Sequence, residues 1–138
     1  MTSTRYRLYV DLEVRFRDCD PMGHVNNAVY LTYFEEARRR YWEEVLGIQD
    51  YRQVDFILAH AEIDYRAPAF AGQRLRVYIR AGEIRRSSFD FHYEIRDRHN
   101  GTLIAEGKTV QVMYDYVRMR PKPMPEHYRD RITAFERA

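Results

Sequence analysis

The sequence predicts an α+β fold in which a five-stranded antiparallel sheet packs against one long helix. Residues 25–46 carry apolar side chains at helical spacing, whereas the segments before and after them alternate apolar and polar side chains with a period of two. The connections between the last four of these segments are short, which favours antiparallel pairing of successive strands. A helix longer than any strand must bury its apolar stripe against that sheet.

The first strand is predicted over residues 8–16, where apolar and polar side chains alternate loosely. Pro21 and Gly23 then break the pattern. Over residues 25–46 the apolar side chains recur at intervals of three and four residues, namely at Tyr30, Phe34, Ala37, Tyr41 and Val45. This spacing predicts one long helix whose opposite side carries charged residues.

The ends of this helix carry suitable capping residues. Asn26 or Asn27 can cap its start, and Gly47 follows its last apolar position. Acid-before-base pairs four residues apart are expected to stabilise its exposed side by roughly 0.2–0.5 kcal/mol each. These pairs are Glu35 with Arg39 and Glu36 with Arg40.

Four further strands follow the helix, over residues 57–66, 74–81, 88–96 and, less regularly, 102–117. The breaks between them lie at Pro68 and Gly72, at residues 82–87, and at Asn100-Gly101. The last of these is a strong hairpin-turn signal. The predicted order is therefore strand, helix and four strands, followed by a tail from Arg118 with three prolines and a helical pattern over 126–137.

Length and composition restrict the class of protein. The 138 residues suit a single domain over 1–138, which can bury a core without disulfides or a structural metal. One cysteine excludes a disulfide-stapled scaffold, and the absence of an apolar signal or membrane-spanning run favours a cytoplasmic protein. The 23 basic and 21 acidic residues nearly balance, which argues against a nucleic-acid-binding polycation.

The segment that carries chemistry lies between the first strand and the helix, where residues 17–30 read RDCDPMGHVNNAVY. Asp20 stands just before the helix start, and the proline and glycine after it turn the chain sharply. Unpaired backbone N–H groups at a helix N-terminus can hold a developing oxyanion, while a nearby carboxylate serves as base or nucleophile. Alternatively, Asp18 and Asp20 are ordinary turn and capping residues, and the spacing alone leaves both interpretations open.

Residues 18–35 closely resemble the signature of the 4-hydroxybenzoyl-CoA thioesterase family, with DCDPMGHVNN followed by YL and YFE. The resemblance continues at 64–72 and 85–89, covers about 8–117 and leaves the proline-rich tail 118–138 outside. These proteins are hotdog-fold acyl-CoA thioesterases. The resemblance therefore implies a five-stranded antiparallel sheet wrapped around a central helix, in the element order predicted above, and hydrolysis of an acyl-CoA thioester.

The resemblance also implies roles for individual residues in the loop. Asp20 corresponds to the catalytic carboxylate, which attacks the thioester carbonyl or activates a water to do so. The backbone N–H of Asn27, or of its immediate neighbours, polarises the thioester oxygen. The 4-hydroxybenzoyl-CoA enzyme itself has a tyrosine where Asn27 stands, so a different acyl group is expected here.

Substrate contacts are implied for two groups of residues. The first lies around the loop and helix and comprises Gly23, Val25, Tyr30 and Glu35. The second is the stretch where family members contact the phosphates of coenzyme A, and it comprises Arg85, Arg86, Ser87 and Ser88. Two simpler interpretations compete, namely an ion pair of Glu35 with Arg39 and a solvated hairpin corner at 85–88. Nearly all basic residues are arginine, which either codon bias or phosphate binding explains.

Alternative functions start from His24 or from the fold alone. Hotdog dehydratases use a histidine and a carboxylate, so His24 with Asp20 or Glu35 is a candidate pair for a 3-hydroxyacyl dehydratase. In a thioesterase, His24 would instead support the site. A non-catalytic acyl-CoA or acyl-carrier binding module is the other alternative.

Cys19 is not expected to be a nucleophile. It is expected to be a small side chain that fills space in the core.

No cofactor is expected beyond the coenzyme A of the substrate. The histidines show no paired spacing with Cys19 or with one another, so no metal site is predicted. The resemblance implies a homodimer or homotetramer with the site between two subunits. The 12 tyrosines are compatible with such an interface, since aromatic residues are enriched there.

Overall fold

The computed structural model describes residues 5–137 and has an antiparallel sheet packed around one long helix. In chain order its elements are β1 (Leu8–Glu13), α1 (Val29–Tyr41), β2 (Phe56–Tyr65), β3 (Arg74–Ile84), β4 (Ser88–Asp97), β5 (Leu103–Asp115), β6 (Arg120–Pro121) and α2 (Glu126–Arg137). The strand order is β1-β3-β4-β5-β2, with every neighbouring pair antiparallel and β6 paired to the end of β5. The five predicted strands are present, and the two-residue β6 is an addition.

The main helix begins at Val29, four residues after the start that the apolar spacing predicts. Val25 is held outside the helix because its N–H donates to the carbonyl of Ala69 at 2.8 Å. At the other end the chain widens into one π-helical turn over Trp42–Leu46. Gly47 ends that turn with φ +72°, as its position in the sequence predicts.

The core lies between α1 and the inner face of the sheet. Phe34, Ala37 and Tyr41 of α1 are completely buried against a row of side chains from β4, namely Phe89, Phe91, Tyr93 and Ile95. The Phe34 and Tyr93 rings stack with centroids 4.1 Å apart. Gly107 lets this packing close, because a Cβ there would lie 2.4 Å from the Glu62 carbonyl oxygen and 2.8 Å from the Phe34 ring.

The C-terminal helix α2, predicted over the same residues, fastens the end of α1 to the sheet. The Glu136 carboxylate accepts hydrogen bonds from the Tyr41 hydroxyl at 2.7 Å and from the Ala81 N–H at 2.8 Å. Arg131 donates to the carbonyl of Leu46 at 2.9 Å, where the π-helical turn ends. Neither helix within residues 5–137 has the length and apolar character needed to cross a lipid bilayer.

The ion pairs on the exposed side of α1 differ from the predicted ones. Arg39 pairs with Glu36 at 2.8 Å and lies 3.7 Å from Glu43, and Arg40 pairs with Glu44 at 2.7 Å. The predictions of Glu35 with Arg39 and of Glu36 with Arg40 are therefore wrong. Glu35 has no ion-pair partner among the residues that the structure describes.

The edge strand β2 is exposed on both faces for most of its length. Phe56 is buried at its start, but Leu58 and Tyr65 on its inner face are each 48% exposed, and Ile57 on its outer face is 37% exposed. A long edge strand with exposed apolar side chains is usually covered by another element or chain.

Candidate active site

A tight loop between β1 and α1 carries the aspartate that the sequence singles out. Its two sides are joined where Cys19 lies opposite Val25 in an isolated bridge. Within the loop, the Asp20 N–H donates to the His24 carbonyl at 3.0 Å, and the Gly23 N–H donates to the Asp20 carbonyl at 2.9 Å. Gly23 has φ +90°, a conformation that side chains disfavour, so its place in the motif is explained by the turn.

Asp18 anchors this loop from inside the protein. The residue is 3% exposed, and its carboxylate accepts hydrogen bonds from the Arg15 N–H and guanidinium, each at 3.0 Å, and from the Tyr33 hydroxyl at 2.8 Å. Burial opposes ionisation, but these hydrogen bonds outweigh it and hold the pKa of Asp18 below its ordinary value. Burial and the adjacent Asp18 raise the pKa of Tyr33, which stays a hydrogen-bond donor. Asp18 is thus a structural residue, unlike its neighbour in the motif.

Asp20 faces a cleft of about 470 Å³ at the start of α1. The predicted residues that line this cleft are Asp20, His24, Val25, Asn27 and Tyr30. The opposite wall comes from the end of β2 and the turn after it, with Tyr65, Arg66, Ala67 and Pro68. The sequence patterns marked residues 64–72 only as a strand and turn, and nothing in their spacing indicated that they face the loop.

The two oxygens of the Asp20 carboxylate have different surroundings. Oδ1 accepts the Met22 N–H at 2.9 Å, which fixes the orientation of the side chain. Oδ2 lies 3.9 Å from Nδ1 of His24, beyond hydrogen-bond distance, and accepts no hydrogen bond from the residues in the range 5–137. The side chain is 22% exposed, so a reactant entering the cleft can reach the free oxygen.

The start of α1 leaves a backbone donor available in the cleft that Asp20 faces. Asn26 accepts the Ala28 N–H through its side chain and the Val29 N–H through its carbonyl, both at 2.9 Å. The Asn27 N–H donates to no group in the part of the chain that the structure describes. The Tyr65 hydroxyl donates to the Asn27 carbonyl at 2.9 Å and so ties this peptide to β2.

Aromatic side chains form the inner wall of the cleft. Tyr30 is almost fully buried, and its ring meets those of Tyr33 and Tyr65 edge to face, with centroids 6.0 and 5.4 Å away. Burial raises the pKa of the Tyr30 hydroxyl, against a hydrogen bond from the backbone of Ala69. Tyr30 therefore presents a neutral, largely apolar surface close to Asp20.

The other predicted substrate-binding residues do not line this cleft. Glu35 is exposed on α1, and Arg86, Ser87 and Ser88 lie at the β3–β4 turn. Ser88 pairs with Val112 of β5, whereas Tyr65 pairs with Ala105. These β5 positions are roughly 23 Å apart at about 3.3 Å per residue. Within one chain the predicted phosphate contacts are thus far from Asp20.

Arg85 is already engaged inside its own chain. Its guanidinium pairs with the buried Asp90 carboxylate, donates to the Ser88 hydroxyl at 2.8 Å and lies 3.3 Å from Glu83. These partners raise the pKa of Arg85. Arg86 beside it is exposed and has no side-chain partner among residues 5–137. Of the two arginines, Arg86 is the one free to meet a ligand.

No metal centre was found in the described part of the chain. Among residues 5–137, no group of three histidine, cysteine, aspartate or glutamate side chains is close enough to hold an ion. Cys19 is half-buried, with its thiol 3.8 Å from the carbonyl of Arg15. The polar side chains that line the cleft are those of Asp20, His24, Asn27, Tyr65 and Arg66, together with the largely buried Tyr30.

Comparison with known proteins finds relatives that are named as thioester hydrolases. A sequence profile of the thioesterase-like superfamily matches residues 14–132. The 1,4-dihydroxy-2-naphthoyl-CoA hydrolase of Synechococcus elongatus is 31% identical over 85% of this chain and 88% of its own. The acyl-CoA thioester hydrolase YbgC of Escherichia coli is 28% identical over 91% of this chain and 94% of its own.

A solved structure gives the same architecture. The thioesterase from Thermus thermophilus, crystallised with coenzyme A and zinc, is 37% identical and superposes with a TM-score of 0.89 over 99% of this chain and 98% of its own. The predicted hotdog fold, with its curled antiparallel sheet around a central helix, is thereby confirmed.

Proposed function

This chain belongs to the thioesterase-like superfamily, and on that basis we propose that it hydrolyses an acyl-CoA thioester to the free acid and coenzyme A. The observation that carries the proposal is the meeting of Asp20 and the unpaired Asn27 N–H in one cleft at the start of α1. A carboxylate supplies the base or nucleophile, and an unpaired N–H at a helix start supplies an oxyanion donor. The names of the relatives from Synechococcus and Escherichia coli, and the coenzyme A bound to the Thermus protein, support the thioester substrate.

Two routes are compatible with this arrangement. In the first, the free Asp20 oxygen attacks the thioester carbon, the C–S bond breaks, the coenzyme A thiolate takes a proton from solvent, and water cleaves the anhydride and restores the carboxylate. In the second, Asp20 takes a proton from a water whose oxygen attacks the carbonyl, and the protonated Asp20 returns it to the departing thiolate. In both, the Asn27 N–H would stabilise negative charge on the carbonyl oxygen.

His24 has a supporting place in this proposal. Its imidazole lines the same cleft, but at 3.9 Å it does not hydrogen-bond to Asp20. In a thioesterase, the imidazole would only line the cleft or contact Asp20 through a solvent molecule. In the alternative 3-hydroxyacyl dehydratase, His24 would have to be the principal acid or base.

The proposal is tested by replacing Asp20 with its isosteric amide. Asp20→Asn removes the base or nucleophile and keeps the side-chain shape, so kcat for hydrolysis of a panel of acyl-CoA thioesters is expected to fall by about 10²-fold or more. Asp130→Asn, at an exposed position on α2, is the matched control and should retain full activity. The assay follows release of free thiol.

Near wild-type turnover by Asp20→Asn would contradict the assignment. Measurable binding of acyl-CoA by the wild-type protein without hydrolysis of any thioester would show a binding module instead. Dehydration of a 3-hydroxyacyl-CoA that His24→Ala abolishes would show a dehydratase. A mass increase of one acyl group on the wild-type protein after a rapid quench would distinguish the nucleophilic route from the base route.

We further propose that the complete site is formed by two copies of the chain. Strand β2 is the exposed edge of the sheet, and two such edges can pair antiparallel about a two-fold axis. Antiparallel pairing would bring the Phe56 end of one β2 to the Tyr65 end of the other. The free Arg86 at the β3–β4 turn would then approach the cleft of the partner, where it could bind the phosphates of coenzyme A.

A further inference from the structure

Arg38 is a buried cation without an anionic partner. The residue is only 9% exposed, and its guanidinium donates to the Tyr93 hydroxyl at 3.2 Å. Within residues 5–137, no carboxylate oxygen lies within 4.0 Å of it. The Tyr93 hydroxyl shares a hydrogen bond with Thr109, so the contacts of Arg38 are all to neutral groups. A charge removed from water is destabilising unless an opposite charge accompanies it.

Glu35 is the complementary group, one helical turn earlier on α1. It is exposed and has no partner, although the other acids of this helix, Glu36, Glu43 and Glu44, all lie close to arginines. Residues three apart in a helix lie on the same side. One side of α1 therefore presents an unpaired acid and an unpaired base, and these two groups do not meet each other within the chain.

This side of α1 faces the inner face of β2, and we call the surface formed by Glu35 and Arg38 of α1 and Leu58 of β2 the trough. The two elements run antiparallel, because the Tyr30 ring contacts Tyr65 at one end and the Trp42 ring contacts Phe56 at the other, with centroids 5.4 and 5.9 Å apart. Between these end contacts β2 leaves Leu58 exposed on its inner face. The trough is therefore apolar along β2 and carries the two unpaired charges along α1.

The midpoints of these two elements coincide. The middle of α1 between Tyr30 and Trp42 is residue 36, and the middle of β2 between Phe56 and Tyr65 is between residues 60 and 61. A two-fold axis that pairs β2 with a second β2 about its centre thus also passes opposite the centre of α1. Glu35 and Arg38 lie on either side of that centre.

We propose that the trough is filled by a second copy of this chain and that Glu35 pairs with Arg38 of the partner subunit across the two-fold axis. The inference rests on the dimer of the proposed function and identifies the contact that specifies it. The two-fold axis generates the ion pair twice, which gives both buried guanidinium groups a carboxylate. Glu35 is thereby an interface residue rather than a substrate-binding one.

The test is a charge exchange read out by sedimentation velocity over a range of protein concentrations, without substrate. Glu35→Lys and Arg38→Glu are each expected to raise the dimer dissociation constant at least tenfold, because like charges then face each other. The double variant Glu35→Lys/Arg38→Glu restores opposite charges and should recover most of the affinity. Glu36→Lys/Arg39→Glu, a pair on the side of the same helix that faces β1, is the matched control and should leave dimerisation unchanged.

The neutral variants Glu35→Gln and Arg38→Gln cover the case in which a charge reversal prevents folding. Their effects on the dimer dissociation constant should be non-additive. The double variant Glu35→Gln/Arg38→Gln should dimerise at least as tightly as the weaker-binding of the two single variants. Three results would each overturn the inference. These are a monomeric wild-type protein, additive effects of the two neutral variants, and a charge-exchanged double variant that dimerises as weakly as the single charge-reversal variants. Hydrolysis is measured separately, so an inactive but dimeric wild type would contradict the proposed function and leave this pairing intact.

Discussion

At the scale of single residues, the two aspartates of the motif have opposite roles although one residue separates them. Asp18 is buried under three donors, while Asp20 keeps one oxygen free in a cleft. Alternation along an extended segment points neighbouring odd and even side chains to opposite sides, but Asp18 and Asp20 are two apart. Asp18 ends the 3-10 turn Phe16–Asp18, whereas the chain is extended at Cys19, and this change of backbone conformation separates their environments.

Asp18→Asn is expected to destabilise the fold by about 1–3 kcal/mol, because the buried amide cannot accept all of the hydrogen bonds that the carboxylate accepts. The folded-state pKa of Asp18 is depressed. Its contribution to stability is therefore complete above the unfolded value near 3.9 and is lost as the pH falls through the lower folded value. The free energy of unfolding measured in urea should therefore fall over this acidic range in the wild type. In Asp18→Asn it should fall less steeply with decreasing pH. Equal slopes in the two proteins would contradict this account.

At the scale of elements, α2 connects α1 to β3 through hydrogen bonds. The Glu136 carboxylate satisfies a tyrosine hydroxyl from α1 and a backbone N–H that lies where the β3–β4 register shifts after Ala81. Burial and the nearby Glu136 carboxylate together raise the pKa of Tyr41, so its hydroxyl stays protonated as a donor. The motifs that resemble the family end near residue 117, but the superfamily profile matches as far as residue 132, and the tail completes the core around Tyr41.

Glu136→Ala leaves both donors without their acceptor, and we expect it to lower the free energy of unfolding by about 2–4 kcal/mol. Glu126→Ala, at the exposed start of the same helix, is the matched control and should change it by less than about 1 kcal/mol. Chemical denaturation of the two variants beside the wild type provides the measurement. Similar denaturation midpoints for all three proteins would show that the Glu136 hydrogen bonds of α2 do not stabilise the fold.

At the scale of the whole molecule, the predicted site residues fall into two groups at opposite ends of the sheet. Asp20 and Asn27 lie at the Tyr65 end of β2, and Arg86 lies at the end where β5 reaches Val112. One chain does not bring these groups together, whereas two chains paired through β2 would do so. Dimerisation is therefore expected to matter for turnover as well as for stability.

Mixing two impaired variants tests whether the site is shared. Asp20→Asn and Arg86→Ala are each expected to have low kcat/KM, the first through chemistry and the second through loss of a phosphate contact. Refolded together in equal amounts, they should form mixed dimers with one intact site each, so that about a quarter of all sites are restored. Activity equal to the mean of the two separate variants would place both residues in the site of a single chain.

The sequence by itself determined the order of elements, the helix stripe that forms the core, and the loop that carries Asp20. Those features depend on neighbours along the chain, such as the apolar spacing of Phe34, Ala37 and Tyr41 or the turn at Gly23. The wall of the cleft from Tyr65 to Pro68, the burial of Asp18, and the unpaired charges of Glu35 and Arg38 were decided only by the tertiary structure. These depend on which distant strands come together, and local periodicity carries no record of contacts between residues far apart in the chain.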